Sequence, residues 1–368
     1  MSIHCEQSPA ATAIIDTAAL AQNLVVARRM AHGARCMAVV KANAYGHGLV
    51  ECARALSGAD ALAVARLSEA KTLRHAHATD LPIVVLDGAL SADETSEAVA
   101  LGCELVVHSD HQLQWLEAAE QVPSTIWLKV NTGMNRLGWA PAAVAQAYAR
   151  IVAKAPEVDV RFSTHFASAD DPDAEQTDEQ LQRWQDLSRP ENATISLSNS
   201  AALVRELGLR APTNALAWVR PGLLLYGATP FGSGDATDLG LTPVMNFESS
   251  VIAVQRLRTG DRVGYGGGYT AAQDMRIGVV AAGYGDGYPC QMPAGTPVLV
   301  DGRNCMLAGR VSMDMLSVDL TGAPEAQVGS RVRLWGQELP VERVARHANT
   351  IAWELLTRVS ARVERVFT

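Results

Sequence analysis

The sequence predicts an α/β protein with an N-terminal (β/α)8 barrel over residues 1–237 and a C-terminal, mostly-β domain over residues 238–368. Eight short apolar runs alternate with longer helical stretches before residue 225, and continuous apolar runs are typical of strands buried on both faces of a parallel sheet. Eight such repeats in about 200 residues fit a (β/α)8 barrel. The runs are MAVV (37–40), ALAVA (61–65), IVVL (83–86), ELVV (104–107), IWLKV (126–130), VRFSTHF (160–166), TISLS (194–198) and AWVR (217–220).

A polar or charged residue follows or ends each apolar run. In such barrels the carboxyl ends of the strands form the active-site face, so these side chains are expected to meet at one mouth. For three of them, Arg66, Asp87 and His108, we favour the simpler interpretation that they mark where strands leave the core. The eight residues are Lys41, Arg66, Asp87, His108, Lys129, His165, Asn199 and Arg220.

The pattern changes after GDATD (234–238), which we take as the domain boundary. Segments such as TPVLVDGRNCMLAGR (296–310) are short, alternating and interrupted by glycine and Asp-Gly, as expected for antiparallel strands and turns. The tail over 341–366 is predicted to be mostly helical, which gives the second domain a terminal helix.

Composition argues for a small-molecule role. The 368 residues carry a net charge of −8 and no basic cluster, which disfavours nucleic-acid binding. The N-terminus lacks the order of a signal peptide, and no apolar stretch is long enough to span a membrane. Six scattered cysteines, Cys5 among them, lack metal-ligand spacing. We therefore expect reduced thiols, a cytoplasmic location and no metal.

The segment VVKANAYGHG (39–48) is the strongest indication of chemistry. Lys41 directly follows a buried strand, and partial burial lowers the pKa of a lysine and makes its amine a nucleophile towards an aldehyde. A lysine in this position alone is more often a surface residue with a buried stem.

This decapeptide resembles the cofactor-lysine motif of the alanine racemases, which are fold-type III pyridoxal-phosphate enzymes. Further segments resemble blocks of that family in the same order and cover the chain to its last helix. They are KVNTGMNRLG (129–138), STHFASAD (163–170), SNSAA (198–202), RPGLLLYG (220–227), VGYGGGYT (263–270), GYGDGYP (283–289), AGRVSMDM (308–315) and TIAWELLT (350–357).

The resemblance implies that Lys41 holds pyridoxal 5′-phosphate and is one of two catalytic bases, with Tyr265 as the other. Racemisation requires an acid/base group on each face of the substrate Cα, because the proton leaves one face and returns to the other. His165 and Arg220 would form a supporting hydrogen-bond network. Arg220 would also face the pyridine nitrogen and, being protonated, weaken the cofactor as an electron sink. Fold-type III decarboxylases have a carboxylate at that position.

Cofactor and substrate contacts also follow from the resemblance. The phosphate would be bound by Tyr45, Ser200 and the backbone amides of Gly222 and Leu223. The family usually adds a tyrosine from the last helix, but this chain has Trp353, whose indole has a single donor in a different place. We therefore expect no direct phosphate contact from Trp353. The same helix is followed by RVER (362–365), where the family commonly has a proline after the valine.

Arg136 resembles the residue that binds the cofactor's phenolic oxygen and the substrate carboxylate. Lys129 corresponds to a lysine that is often carbamylated, and an anion is needed there because an unmodified Lys129 would repel Arg136. Met313 would bind the substrate carboxylate through its backbone amide, and Tyr284 would narrow the access channel.

The resemblance further implies a homodimer, in which Tyr265, Tyr284 and Met313 reach the barrel mouth of the partner chain. The expected activity is interconversion of L-alanine and D-alanine, for peptidoglycan synthesis or for catabolism. Two alternatives stay open: a broad-specificity amino-acid racemase on the same scaffold, and a non-catalytic pyridoxal-phosphate carrier. Such carriers usually lack a second β domain.

Overall fold

The computed structural model describes residues 10–209 and 216–368. The described part of the chain begins with strand β1 (Thr12–Ile15) and helix α1 (Thr17–Met30), which precede the barrel. The barrel strands are β2 (Arg35–Val39), β3 (Ala61–Val64), β4 (Ile83–Val85), β5 (Cys103–Val107), β6 (Thr125–Lys129), β7 (Asp159–Ser163), β8 (Ile195–Ser196) and β9 (Ala217–Val219). The helices after β2 are α2 (Lys41–Tyr45), α3 (Leu49–Ala55), α4 (Leu67–His75), α5 (Ala92–Ala100), α6 (Asp110–Ala118), α7 (Pro141–Lys154), α8 (Glu175–Gln185) and α9 (Ser200–Val204).

Strands β2 to β9 close into a parallel barrel in chain order, with β9 paired to β2. Each of the eight predicted apolar runs overlaps one of these strands, so the predicted (β/α)8 barrel is confirmed. All four residues of β3 are fully buried, because barrel strands face the packed interior on one side and helices on the other. The apolar pattern of the runs is the direct result of that two-sided burial.

The C-terminal domain is mostly β, as predicted. Its strands are β10 (Met245–Leu257), β11 (Arg262–Val263), β12 (Tyr269–Thr270), β13 (Met275–Val280), β14 (Pro297–Val300), β15 (Arg303–Leu307), β16 (Leu316–Asp319) and β17 (Arg331–Trp335). They are followed by α10 (Val341–His347), α11 (Ala352–Arg358) and β18 (Glu364–Phe367). The main sheet has the order β13-β16-β15-β14-β17-β10-β1-β18, and β10 also pairs with β13, which joins six of the strands into a ring. In this domain the fully buried side chains of Phe247, Tyr288 and Trp335 are in ring contact.

The prediction of a mostly helical tail over 341–366 is wrong at its end. The last helix stops at Arg358, and Glu364–Phe367 form β18, which pairs in parallel with β1. Backbone hydrogen bonds to a distant strand outweigh the local helical pattern, as is common for β-strands. Glu364 stands at the start of this edge strand, a position that also tolerates proline. The departure from the family at this residue is therefore accommodated without a change of fold.

Strand β1 comes from the start of the chain but lies in the C-terminal sheet, between β10 and β18. Sequence alone did not indicate this, and the boundary between residues 237 and 238 stays a prediction. Asn23 of α1 strengthens the junction because its buried amide donates to Leu225 O and Thr242 O and accepts from Thr242 N–H. The two domains are therefore joined by main-chain pairing as well as by side chains.

No helix in residues 10–209 or 216–368 is long and apolar enough to cross a membrane. In the same residues, no group of three His, Cys, Asp or Glu side chains is placed as a metal site requires. The five cysteines of this part of the chain are free thiols, and four of them are buried. Cys5 and the predicted lack of a signal peptide fall outside the described residues.

Candidate active site

Lys41 stands at the carboxyl end of β2, at the start of an unusual turn. The next four residues, Ala42 to Tyr45, have φ values of 54, 55, 53 and 52°, which is left-handed helical backbone. Each non-glycine residue in this conformation costs about 1–2 kcal/mol. The turn is held by Ala42 N–H, which donates to the Glu69 carboxylate at 2.6 Å, and by Asn43 Oδ1, which accepts from Leu49 N–H at 2.9 Å. The surrounding structure thus fixes the lysine in a strained, well-defined position.

The C-terminal segment, residues 356–365, packs against this turn at Gly46. A Cβ at Gly46 would come within 2.2 Å of Leu356 O, so the α11 backbone packs directly against the turn. Arg365 Nε donates to Gly46 O at 2.7 Å. The position of Lys41 therefore depends on contacts with Leu356 and Arg365, far along the chain, which the sequence did not predict.

The environment of Lys41 shifts its amine towards the neutral form. Desolvation lowers its pKa, and the positive charges of Arg136 and Arg220 lower it further. Asp87 and Glu69 act in the opposite direction. The net decrease raises the fraction of neutral, nucleophilic amine near neutral pH.

Arg220 is buried at the end of β9 and donates hydrogen bonds to several neighbours. It donates to Ser196 Oγ at 2.5 Å, Thr164 O at 2.6 Å and Leu197 O at 3.2 Å, and its Nη2 lies 3.4 Å from His165 Nδ1. Burial lowers its pKa to about 10, so the guanidinium keeps its proton at neutral pH. Desolvation and the charge of Arg220 hold the pKa of His165 well below its usual value. His165 is therefore neutral, with Nδ1 accepting from Arg220 and Nε2 carrying the proton.

A cradle of polar groups lies next to the lysine turn. Ser200 Oγ accepts from Gly222 N–H at 3.0 Å, and a Cβ at Gly222 would come within 2.4 Å of the Tyr45 hydroxyl. Leu223 begins a short 3₁₀ helix, so its N–H is not used by the helix itself. Tyr45, Ser200, Gly222 and Leu223 thus lie close together and carry hydroxyl and amide groups of the kind that bind a phosphate. Their role in phosphate binding stays a prediction. Trp353 is half-buried against the core.

Lys129, Arg136 and His165 line one cavity with Thr164. Desolvation, followed by the charges of Arg220 and Arg136, lowers the pKa of Lys129 from 10.5 to about 8. Arg136 is exposed and forms no ion pair with any residue in 10–209 or 216–368. Two cations thus share this side of the mouth, and Asp87 is the acidic residue that acts on both Lys129 and Lys41.

Asp87 is a site residue that the sequence interpretation set aside. It forms an ion pair with Arg66 at 3.4 Å, and its carbonyl oxygen lies 3.1 Å from His108 Nε2. All three residues therefore meet at the mouth, rather than only marking the strand ends. The sequence did indicate this position for Asp87, because Asp87 follows β4 just as Lys41 follows β2.

The predicted residues of the second domain are all exposed. Tyr265 is 73% exposed in the 3₁₀ turn Tyr265–Gly267, Met313 is 54% exposed and Tyr284 is 42% exposed. Tyr284 and Met313 lie on adjoining turns, since Tyr284 N–H donates to Ser312 O at 3.0 Å. Within the described part of the chain, no hydrogen bond joins Tyr265 to Lys41.

Comparison with known proteins identifies the family. The alanine racemase N-terminal domain model matches residues 15–230, and the C-terminal domain model matches residues 244–367. An alanine racemase of Azoarcus sp. strain BH72 is 50% identical over 358 residues, which cover 96% of this chain and 98% of that protein.

Two solved structures extend the likeness to three dimensions. The biosynthetic alanine racemase of Pseudomonas aeruginosa is 42% identical with a TM-score of 0.90, and the match covers 98% of this chain and 100% of that one. An alanine racemase of Bartonella henselae with covalently bound pyridoxal phosphate is 26% identical with a TM-score of 0.84, over 98% and 100% of the two chains. The chain belongs to the alanine racemase family, whose enzymes are pyridoxal-phosphate-dependent isomerases.

Proposed function

We propose that this protein interconverts L-alanine and D-alanine with pyridoxal 5′-phosphate held on Lys41. The observation that carries the proposal is the lysine itself, desolvated and fixed by a strained turn at the barrel mouth. The hydroxyls of Tyr45 and Ser200 and the amide of Leu223 fit the phosphate, and Arg220 fits the pyridine nitrogen. The Gly222 amide, which donates to Ser200 Oγ, would exchange that bond for one to the phosphate. When bound, pyridoxal phosphate supplies the electron withdrawal that makes the Cα proton of an attached amino acid acidic.

In this proposal the chain's own residues bind, orient and move one proton. Lys41 Nζ takes or returns the Cα proton on one face of the substrate, and the phenol of the partner's Tyr265 does so on the other. Arg220 keeps its proton and is fixed by Ser196, Thr164 and Leu197, so it does not give that proton to the pyridine nitrogen. Because the pyridine nitrogen stays unprotonated, the cofactor withdraws fewer electrons from the substrate, and side reactions such as transamination are disfavoured.

We further propose that Lys129 carries a carbamate formed with carbon dioxide. Only a neutral amine reacts with carbon dioxide, and a pKa of about 8 provides a substantial neutral fraction near neutral pH. The carbamate would be an anion beside Arg136 and would orient that guanidinium towards the substrate carboxylate. It would also replace the mutual repulsion of two cations by attraction.

Lys129→Met is expected to flatten the pH dependence of stability in carbonate-free buffer. The folded-state pKa of Lys129 is lowered, so between about pH 8 and its usual 10.5 the unfolded chain binds more protons, and wild-type stability rises with pH. The free energy of unfolding of wild type should rise by about 1–3 kcal/mol over this pH range. One pKa unit is worth about 1.4 kcal/mol, and solvent screening at the barrel mouth reduces the full value. Urea unfolding at a series of pH values measures it.

The matched control is Lys154→Met, since Lys154 is an exposed lysine that donates to two carbonyl oxygens. That variant should keep the wild-type pH slope. Added bicarbonate should stabilise wild type and Lys154→Met near pH 8 but leave Lys129→Met unchanged. Equal slopes and equal bicarbonate responses in all three proteins would contradict the assignment.

We propose a homodimer in which the exposed Tyr265, Tyr284 and Met313 complete the partner's barrel mouth. Their exposure on one domain and the position of Lys41 on the other support this arrangement. A two-fold axis would use the same surface twice and close the assembly. The product D-alanine would serve peptidoglycan synthesis or catabolism, and a cytoplasmic location stays a prediction.

A panel of amino acids resolved by chiral chromatography tests the proposed reaction. We expect racemisation of both alanine enantiomers at a kcat/KM far above that of larger amino acids, because Tyr45, Tyr265 and Tyr284 would confine the site. Comparable rates with larger side chains would favour a broad-specificity racemase. Cofactor-loaded protein that racemises nothing would favour a carrier.

A further inference from the structure

Two turns of the C-terminal domain are joined by backbone hydrogen bonds. We call residues 283–287 the Tyr284 turn and residues 312–315 the Met313 turn. Tyr284 N–H donates to Ser312 O at 3.0 Å, and Gly285 N–H donates to Met313 O at 2.8 Å. A Cβ at Gly283 would lie 2.3 Å from Met313 O, so the two backbones touch.

One arginine, Arg362, binds a carboxylate from each turn. Its Nε donates to Asp286 at 2.7 Å, and its Nη2 lies 2.9 Å from Asp314 Oδ1. The guanidinium lies over Gly285, where a Cβ would come within 2.7 Å of Nη2. The planar fork of arginine can hold two separate carboxylates in a fixed geometry, which a lysine ammonium cannot do.

The two halves of this bridge differ in exposure. The Asp286 side chain is 11% exposed, and its second oxygen accepts from Gly283 N–H at 2.8 Å. Asp286 O also accepts from Ser360 N–H at 3.0 Å, which ties the Tyr284 turn to the segment that carries Arg362. The Asp314 side chain is 57% exposed, so the arginine is anchored at Asp286 and reaches out to hold the Met313 turn.

The backbone hydrogen bonds of the Met313 turn leave one of its amides available. The carbonyl oxygens of Ser312 and Met313 both accept from the Tyr284 turn, and Ser312 N–H donates to Met315 O. The Met313 N–H donates to none of the residues in 10–209 or 216–368. An amide held in place without an acceptor is suited to bind a carboxylate.

We propose that Arg362 is a positioning residue for the substrate carboxylate, acting through the Met313 amide and the Tyr284 ring. This rests on the proposed function, in which both turns face the partner's Lys41. By locking the two turns together, Arg362 sets the distance between the Met313 N–H and the Tyr284 side chain. It touches neither substrate nor cofactor.

Steady-state kinetics of Arg362→Met in the cofactor-loaded enzyme test this role. We expect the KM for alanine to rise about tenfold while kcat changes less than about twofold, because a carboxylate contact is made equally in the ground and transition states. The inhibition constant of propionate, which has the carboxylate but no amine, should rise by the same factor. Arg362→Lys should recover part of the loss, since it keeps the charge but can hold one carboxylate only.

Arg358→Met is the matched control, because the Arg358 side chain forms an ion pair with Glu354 on the surface of α11. Only its backbone packs against the Tyr284 turn, at Gly287, and the substitution keeps that backbone. It should leave KM, kcat and the propionate constant unchanged. Tyr284→Ala separates two kinds of failure. If Tyr284→Ala raises KM and Arg362→Met does not, the positioning role is wrong and the site assignment survives. If neither variant changes KM or propionate binding, the turns do not face the substrate. The positioning role of Arg362 and the proposed placement of Tyr284 and Met313 at the partner's barrel mouth are then both wrong.

Discussion

Lys41→Ala is expected to abolish covalent attachment of pyridoxal phosphate and to reduce racemisation of alanine by at least about 10⁴-fold. Alanine has no side-chain amine, so the variant loses both the anchor and the base on one face of the substrate. The purified protein should lack the visible absorption of bound cofactor, and chiral chromatography should detect no racemisation above background. Absorption spectra and the racemisation assay on the same preparation measure both effects.

Lys154→Ala, at a surface lysine remote from the mouth, should keep the wild-type spectrum and rate. Loss of folding is not the expected cause, because the Lys41 turn is held by backbone contacts to Glu69 and by Arg365 rather than by the lysine amine. A small primary amine added to Lys41→Ala should restore part of the activity. A visible spectrum unchanged by the substitution would contradict the anchor.

The barrel could be predicted because its signal is local. Strands such as Ala61–Val64 are buried on both faces, so each appears in the sequence as an unbroken apolar run. The chain order of the strands then places their ends at one mouth, which is why Lys41, Lys129 and Arg220 could be grouped from the sequence alone. The resemblance to the family predicted what each residue does, and the barrel pattern predicted that the residues lie close together.

Other features could not be predicted because they depend on distant contacts. No glycine marks the left-handed turn from Ala42 to Tyr45, whose strain is compensated by Glu69 and by the C-terminal segment. The β1–β18 pairing joins the two ends of the chain, and Arg362 meets Asp286 across 76 residues. Local patterns carry no information about such pairings, which explains why the tail was predicted as a helix.

Tyr265→Ala is expected to separate the two proton transfers. Without the phenol, removal of the Cα proton from L-alanine should slow by about 10²–10⁴-fold. Lys41 should still remove the Cα proton from D-alanine. Incorporation of solvent deuterium into each enantiomer, followed by mass spectrometry, measures the two rates separately. Equal slowing for both enantiomers would contradict the division between Lys41 and Tyr265.

The same variant tests whether Tyr265 acts across the dimer. In a heterodimer of Lys41→Ala and Tyr265→Ala subunits, one mouth has both residues intact and the other has neither. Random pairing of equal amounts makes half of all dimers mixed, so co-expression should restore about a quarter of wild-type activity from two inactive variants. Pairing Lys41→Ala with the Lys41→Ala, Tyr265→Ala double variant should restore nothing. If Tyr265 served its own chain, the first mixture would also stay inactive, because every subunit would carry one defect in its own site.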